Sequence, residues 1–541
     1  MTNNDNIQLK VDVLKKQALK EFEEWCKYPH PTFHCGPIFK HLINRIKAIG
    51  FQPQNDLYNK DENYGNVWFD IPATPGCENW KKLLFQGHMD MVYAGPKDGF
   101  DKPITPVYDE IIDSKTNTKQ KVIHSKDYLT SLGADDGIGI ATMLAIAQDK
   151  NIKHGPIRFI ITGDEENGSA GAEFIKPEVF DSDYLINVDG ELDCGLAIAC
   201  YGTCNYTFRK ELSVTNKDLL PNCFRMDAHG FHGGHSGEDV GFRFANAERI
   251  CWQILNDLLP NGQFQIIKVD HCNEKGIDQQ YQSNAIIPNA GITFLTNLTQ
   301  EQINDGIIKT IESMKNKYRG ENWNNIKIAT ASADKASYVL SADDSKKVIT
   351  LLGSETKGLV CGLVNCLDET KHVPGASGNI GPTNLDTTKQ SNGVVVFDTK
   401  GVDRSYLASD ILVCDGAEKA TDKTNIKRSF IDTWESIFGY SSQQNLCRVT
   451  AIRAWEDHQV NPLRDLLVKG YRDVAKKEPK LVSLYGVLEQ AYFLSKKPDM
   501  LMITIGPRIE SCHTNKETLY LDTMDAEYKA LIYTIENFDK V

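Results

Sequence analysis

The chain has 541 residues, with 60 Lys plus Arg against 73 Asp plus Glu and a formal charge of -13. At about 100–200 residues per domain this length implies two to four domains. Its 41% hydrophobic and 25% charged residues exclude a disordered or fibrous chain. The acidic balance argues against nucleic acid as the main ligand and suits carboxylates gathered around a metal. No apolar run approaches the roughly 18 residues needed to cross a bilayer, so no membrane partner is expected. The N-terminus, MTNNDNIQLKVDVLKK, has no apolar stretch like a signal peptide's. The 14 cysteines are scattered without a CxxC pair, which reads as free thiols and a cytoplasmic location.

Taken in chain order, Lys15 to Lys27 and Phe39 to Ile49 carry apolar residues at helical spacing, separated by Tyr28-Pro29-His30-Pro31. Four short apolar runs follow, each suited to a buried strand: Leu83-Leu84-Phe85, Ile157 to Ile161, Tyr184 to Val188 and Met500 to Ile505. A helical stretch, Ile138 to Ala147, lies between the first two. The polar stretch Ser114 to Lys121 reads as a surface hairpin loop. Alternating strands and helices predict an α/β fold with a mixed, mainly parallel sheet flanked by helices. The fourth run is remote from the other three, so a shared sheet requires an insertion. The stretch from about Tyr201 to Leu446 differs in pattern. It has strand-like pieces at Ala329 to Tyr338 and Val394 to Phe397, amphipathic helices at Ala245 to Leu259 and Gln300 to Lys315, and a polar run at Asp415 to Lys427. It is expected to be an inserted α+β domain, residues 202–445, within a catalytic domain formed from 1–201 and 446–541.

Chemistry-bearing residues follow each apolar run. Phe85 is followed by Gln86-Gly87-His88-Met89-Asp90, and Ile161 by Thr162-Gly163-Asp164-Glu165-Glu166. Val188 precedes Asp189-Gly190-Glu191, and Ile505 precedes Gly506-Pro507-Arg508 and then Cys512-His513. Ligands of open α/β sheets bind outside the carboxyl ends of the strands, so these side chains are expected to share one crevice. Asp135-Asp136, just before a helix, joins them. So many acids would repel one another without a cation. Two imidazoles with several carboxylates suit zinc, manganese or cobalt, and two metals would use the whole set. Gly137-Ile138-Gly139 looks like part of a dinucleotide fingerprint, but the third glycine is missing and Asp135-Asp136 would face the phosphates.

GHMDMV, SLGADDGIGIA, GDEENGSAGA, LINVDGE and HGGHSGEDVG, in that order, resemble the aminoacyl-histidine dipeptidases. These are carnosinase-like members of the superfamily of di-zinc aminoacylases, carboxypeptidases and dipeptidases. The resemblance implies that His88 and Asp189 bind one metal, Glu166 and His513 the other, and that Asp135 bridges them. Asp90 would hold the ligand geometry and Glu165 would be the general base for attack of a metal-bridging water. Two divalent metal ions, zinc with cobalt or manganese as alternatives, are the implied cofactor. The implied substrate is a dipeptide with free ends, of Xaa-His type. His235, in Gly233-Gly234-His235-Ser236-Gly237, resembles a histidine that reaches the oxyanion from the inserted lid or dimerisation domain, in a homodimer. His229 and His232 read as turn residues. Asn284 resembles a substrate-binding Asn, and Arg404 is a candidate for the substrate carboxylate. The segment Leu484-Tyr485-Gly486-Val487-Leu488-Glu489 departs from the family in having Tyr485 where a His is usual. Arg508-Ile509-Glu510-Ser511 also departs, which leaves open a broader di- or tripeptidase or an aminoacylase. A catalytically inactive binding protein is a further alternative, against which the complete ligand set and Glu165 speak.

Overall fold

The computed structural model describes residues 3–541 except 97–98, 114–115, 167, 236–242, 278, 280, 282–284, 354–364, 369–372, 406–433, 435, 440–444, 453, 459 and 485. The chain forms two compact units. One comprises Met1–Cys200, Trp455–Ser483 and Leu488–Val541; the other comprises Tyr201–Ala454 and Leu484–Val487.

The first unit is built on a nine-stranded sheet. Its centre holds all four predicted apolar runs, ordered Ile157–Thr162, Leu83–His88, Tyr184–Asn187, Leu501–Thr504. Neighbours within this group are parallel, and every residue of Leu83–His88 and Tyr184–Asn187 is buried. Both margins are antiparallel, through Val67–Ile71 on one side and Gly195–Cys200 on the other. The fold is therefore the mixed α/β type expected, with parallel strands where the site lies. The helix Asn3–Trp25 and the helix Gly36–Ala48 begin earlier than their apolar periodicity suggested, and the prolines between them occupy the connection. The helix Ala134–Gln148 is buried on all sides from Ala134 to Ile146, which explains why it shows no polar face.

The two glycines of the fingerprint look-alike serve packing. A Cβ on Gly137 would lie 3.0 Å from the Trp25 ring, and one on Gly139 would lie 2.1 Å from Asp136 Oδ1. The hairpin expected at Ser114 to Lys121 is shorter than that. Lys119–Ser125 is already a strand, paired with Pro106–Ile112 in a separate four-stranded sheet.

The second unit is a ten-stranded sheet with the helices Ala247–Leu258, Gln300–Lys315 and Ala342–Gly353. Its pairings among the described residues are antiparallel. It has its own core, including Trp252, Phe294 and Leu351. The strand predicted at Ala329 to Tyr338 ends at Ser332, and Val394–Ser405 runs well beyond Phe397. The polar run Asp415 to Lys427 lies outside the described residues.

Two contacts in the first unit make measurable predictions. Gly190 N–H donates to Ile505 O at 3.0 Å, and a Cβ on Gly506 would fall 1.8 Å from Gly190 O. Gly506→Ala must push apart the turns that follow two central strands. Its expected cost is at least about 1–3 kcal/mol, read as a lower midpoint of chemical denaturation. Glu527, on the buried face of the helix Met524–Glu536, has a carboxylate Oε2 with no partner among the described residues. Burial pushes its carboxyl up to about 8 from 4.5. A raised acid favours folding fully below its unfolded value, and that contribution disappears as pH rises through the folded one. Wild-type stability should therefore fall between pH 5 and pH 9 more steeply than that of Glu527→Gln; equal slopes would contradict this.

Candidate metal centre and active site

The parallel register brings the ends of the four central strands to one edge of the sheet. His88 is the last residue of its strand and is 1% exposed. Asp189 follows Tyr184–Asn187, Glu165 and Glu166 follow Ile157–Thr162, and His513 lies beyond Leu501–Thr504.

Asp135 occupies the middle of the cluster. Its Oδ1 is 3.1 Å from His88 Nε2 and its Oδ2 is 3.2 Å from His513 Nε2. Glu166 Oε2 is 2.8 Å from His513 Nε2, and Asp189 Oδ1 is 3.6 Å from His88 Nε2. Thus one carboxylate spans two imidazoles, each with a second carboxylate beside it. The grouping of His88 and Asp189 on one side and Glu166 and His513 on the other matches the division implied by the motifs. Ligand atoms of His88, Asp135 and Glu166 lie within 4.8 Å of one another.

Asp90 ties this arrangement together. Its carboxylate accepts the Glu165 N–H at 2.9 Å and the Glu166 N–H at 3.2 Å. His88 Nδ1 lies 3.1 Å from Asp90 O and 3.5 Å from Asp90 Oδ1, which turns Nε2 toward Asp135. Glu165 is half-buried, and its backbone is fixed by Asp90.

The electrostatics test whether this donor set fits a cation. Burial raises the Glu166 carboxyl to about 7 and the Asp189 carboxyl to about 6, with Asp135 adding to each and the histidines opposing. Burial also drives Glu165 up, with Glu166, Asp189 and Glu489 adding and His88 opposing. Asp135 is held low by His513 and His88 against the effect of burial. Glu166 Oε1 is buried with no partner among the described residues. Concentrated negative charge with an orphaned oxygen is costly unless a cation completes it. Imidazole nitrogens with carboxylate oxygens are donors that zinc, cobalt or manganese accept. The residues fit divalent metal.

Several supporting residues were not singled out from the sequence. Glu517 is the most important of them. Its carboxylate accepts the N–H groups of Leu132 (2.7 Å), Gly133 (2.9 Å), Ala134 (2.7 Å) and Asp135 (3.2 Å). It fixes the turn that presents Asp135, although 382 residues separate the two. Asp136 points under the site, where Oδ2 accepts the His88 N–H at 3.1 Å. A Cβ on Gly87 would meet that oxygen at 2.1 Å, so the glycine of the GHMDMV motif makes room for Asp136. Gln86, Thr162 and Asn187 link three neighbouring strands through side-chain hydrogen bonds, with the buried Glu489 accepting from Gln86 and Thr162. Glu191 and Cys512 also place ligand atoms within 4.8 Å of Asp135. The nearness of Glu517 to His513 was the available signal for it. Asp136 was legible as the second half of the Asp135-Asp136 pair and Glu489 as the end of the Leu484 to Glu489 segment, but nothing along the chain gave either its partners.

Arg508 is committed elsewhere. It makes two hydrogen bonds to Asp113, at 2.7 and 3.1 Å, bonds Glu510 as well, and covers the Tyr520 ring at 3.9 Å. Three expected site residues belong to the second unit. His235 lies on the short strand Gly234–His235, paired with Ala285–Ile286. Arg404 lies on Val394–Ser405, opposite Thr203 and Ser377. Asn284 and Tyr485 lie outside the described residues.

The cytosol non-specific dipeptidase of Escherichia coli is 25% identical over 513 residues, covering 93% of each chain. Among solved structures, the aminoacylhistidine dipeptidase of Vibrio alginolyticus superposes with a TM-score of 0.67, at 23% identity over 96% of each chain. A tripeptidase of Staphylococcus aureus superposes with a TM-score of 0.53, at 15% identity over 97% of this chain and 99% of its own. The model of peptidase family M20/M25/M40 matches residues 84–537, from the strand that ends in His88 to the last long helix. The chain therefore belongs to that family of metal-dependent peptide hydrolases.

Proposed function

We propose that this metallo-dipeptidase hydrolyses dipeptides with free ends, including the aminoacyl-histidine and β-alanyl-histidine type, with two zinc ions. The observation that carries the reading is Asp135, whose two oxygens lie 3.1 and 3.2 Å from the two histidines. His88 and Asp189 would hold one cation, Glu166 and His513 the other, and Asp135 both. Divalent cations there supply Lewis acidity toward the peptide carbonyl and acidify water.

The chain's own groups do the rest. Glu165 takes the proton of the attacking water and returns it to the leaving amine. Burial, with Glu166, Asp189 and Glu489, raises its proton affinity, which suits a group that takes up a proton. Asp90 keeps Glu165 and Glu166 apart in role by anchoring both backbones. His235 donates to the developing oxyanion, while Asn284 and Arg404 grip the substrate, Arg404 at its carboxylate. Assembly as a homodimer and a cytoplasmic location complete the proposal. The cytosolic name of the E. coli relative supports the location. Cysteines that are free among the described residues support it too. Among those residues no helix is long and apolar enough to cross a membrane.

One observation favours a broader specificity within the same reaction. Arg508, in the segment that departs from the family, is tied to Asp113 and Glu510 rather than free to select a side chain. A panel of dipeptides, tripeptides and N-acyl amino acids decides between the readings. Xaa-His substrates should show the highest kcat/KM. A flat profile across dipeptides would establish the broader peptidase, and preference for N-acyl amino acids would overturn the dipeptidase reading.

The ligand and base assignments separate experimentally. Glu165→Gln should retain about two metal equivalents by elemental analysis and lose several orders of magnitude in kcat. Asp135→Asn should weaken both metals together. If Glu165→Gln empties a site while Glu166→Gln leaves both filled, the two roles are exchanged.

A further inference from the structure

His235 lies between the strand Asn222–His229 and the helix Ala247–Leu258. Its flanks are tied together by two independent contacts. Glu321, 8% exposed, accepts the His232 N–H on Oε2 at 3.2 Å and the Ala245 N–H on Oε1 at 2.8 Å. Beside it, the His232 ring stacks on Phe244 with centroids 3.8 Å apart and planes 8° from parallel. Glu321 is itself anchored, because its N–H donates to the carbonyl of the buried Tyr318, which also accepts from Trp323 Nε1.

Beyond this neck, Gly234–His235 pairs with Ala285–Ile286. That partner strand is pinned from behind. Asn379 Nδ2 donates to Ala285 O at 2.8 Å, Asn246 Nδ2 donates to Asn379 Oδ1 at 2.9 Å, and Ala247 N–H donates to Ile287 O at 2.7 Å. A connection with no positional duty needs only turn residues. Here a largely buried carboxylate, reached from a distant helix–strand connection, spends both oxygens on the two flanks. Hydrogen bonds to an ionised acceptor are the strong kind.

We infer that Glu321 is a positioning residue for the reaction. It closes the neck of the His235 segment and fixes the height at which the His235 backbone meets Ala285. This rests on the reading of His235 as the oxyanion donor, and Glu321 acts through it without touching substrate. A displacement of about 1 Å in such a donor can cost on the order of 10²-fold.

The test is a kinetic cycle on the full-length, metal-loaded enzyme with Glu321→Gln, His235→Ala and the double variant, checking metal content and Tm throughout. Glutamine keeps the size but offers one acceptor oxygen and sets an N–H₂ against a backbone N–H. Glu321→Gln should lower kcat about 10–100-fold, change KM by less than about threefold and leave metal content intact. In the His235→Ala background it should cost nothing further. If Glu321→Gln slows the His235→Ala enzyme by the same factor as wild type, its role is structural and the inference is overturned. Wild-type kcat in Glu321→Gln beside a slow His235→Ala also overturns it. If His235→Ala is as fast as wild type, the reading of His235 itself fails and this inference with it. Should Glu321→Gln not fold, Phe244→Leu, which opens the stack and spares the carboxylate, is judged in the same cycle by the same outcomes.

Discussion

A carboxylate held between two imidazoles at the carboxyl edge of a parallel sheet is the constraint on which this molecule turns. Asp135 spans His88 and His513, and both histidines carry a further acid at their other side. Gathering these groups in a largely buried place opposes folding unless positive charge compensates them. The fold meets that cost with rigid surroundings. Glu517 gathers four consecutive backbone N–H groups around the Asp135 turn, and Asp90 gathers two around Glu165 and Glu166.

The layers beneath the site serve the same end. Gly87 and Gly139 leave space for the Asp136 carboxylate, which in turn accepts the His88 N–H. Gln86, Thr162 and Asn187 cross-link the strands just below their ends. Glu489 completes that network as a buried acid raised to about 8 by burial, with Asp189 adding and His88 opposing. In the second unit, Glu248 bonds Trp252 at 3.0 Å, His271 at 2.7 Å and the Thr383 N–H at 3.1 Å. Both units thus use buried carboxylates as multi-point acceptors, and among the described residues the groups of three His, Cys, Asp or Glu ligand atoms within 4.8 Å of one another belong to the first unit.

Much of the site could be read from the chain because its chemistry is local to strand ends. An apolar run of four to six residues followed at once by His, Asp or Glu states both the element and the place of the polar side chain on it. His88, Glu165, Glu166 and Asp189 do stand at or just after such strand ends, and the helix Gln300–Lys315 has the bounds its apolar spacing implies. The helical stretch expected at Ile138 to Ala147 is the regular part of the helix Ala134–Gln148, since Asp135 and Asp136 have non-helical dihedrals. Apolar patterning failed at Ala329 to Tyr338, where the strand ends at Ser332 and the poor strand formers Asp334 and Lys335 follow.

The sequence by itself determined the donor types, their order and the strands that bear them, because backbone propensity and side-chain chemistry are properties of the residue. Only the tertiary structure decided which donors meet. The pairing of Asp135 with both histidines depends on Glu517, 382 residues away, and on strand order, neither of which leaves a local trace. The same holds for Arg508, which is chemically free as a sequence element and committed to Asp113 and Glu510 once folded. A long-range hydrogen bond costs no particular residue at its neighbours, so no pattern along the chain records it.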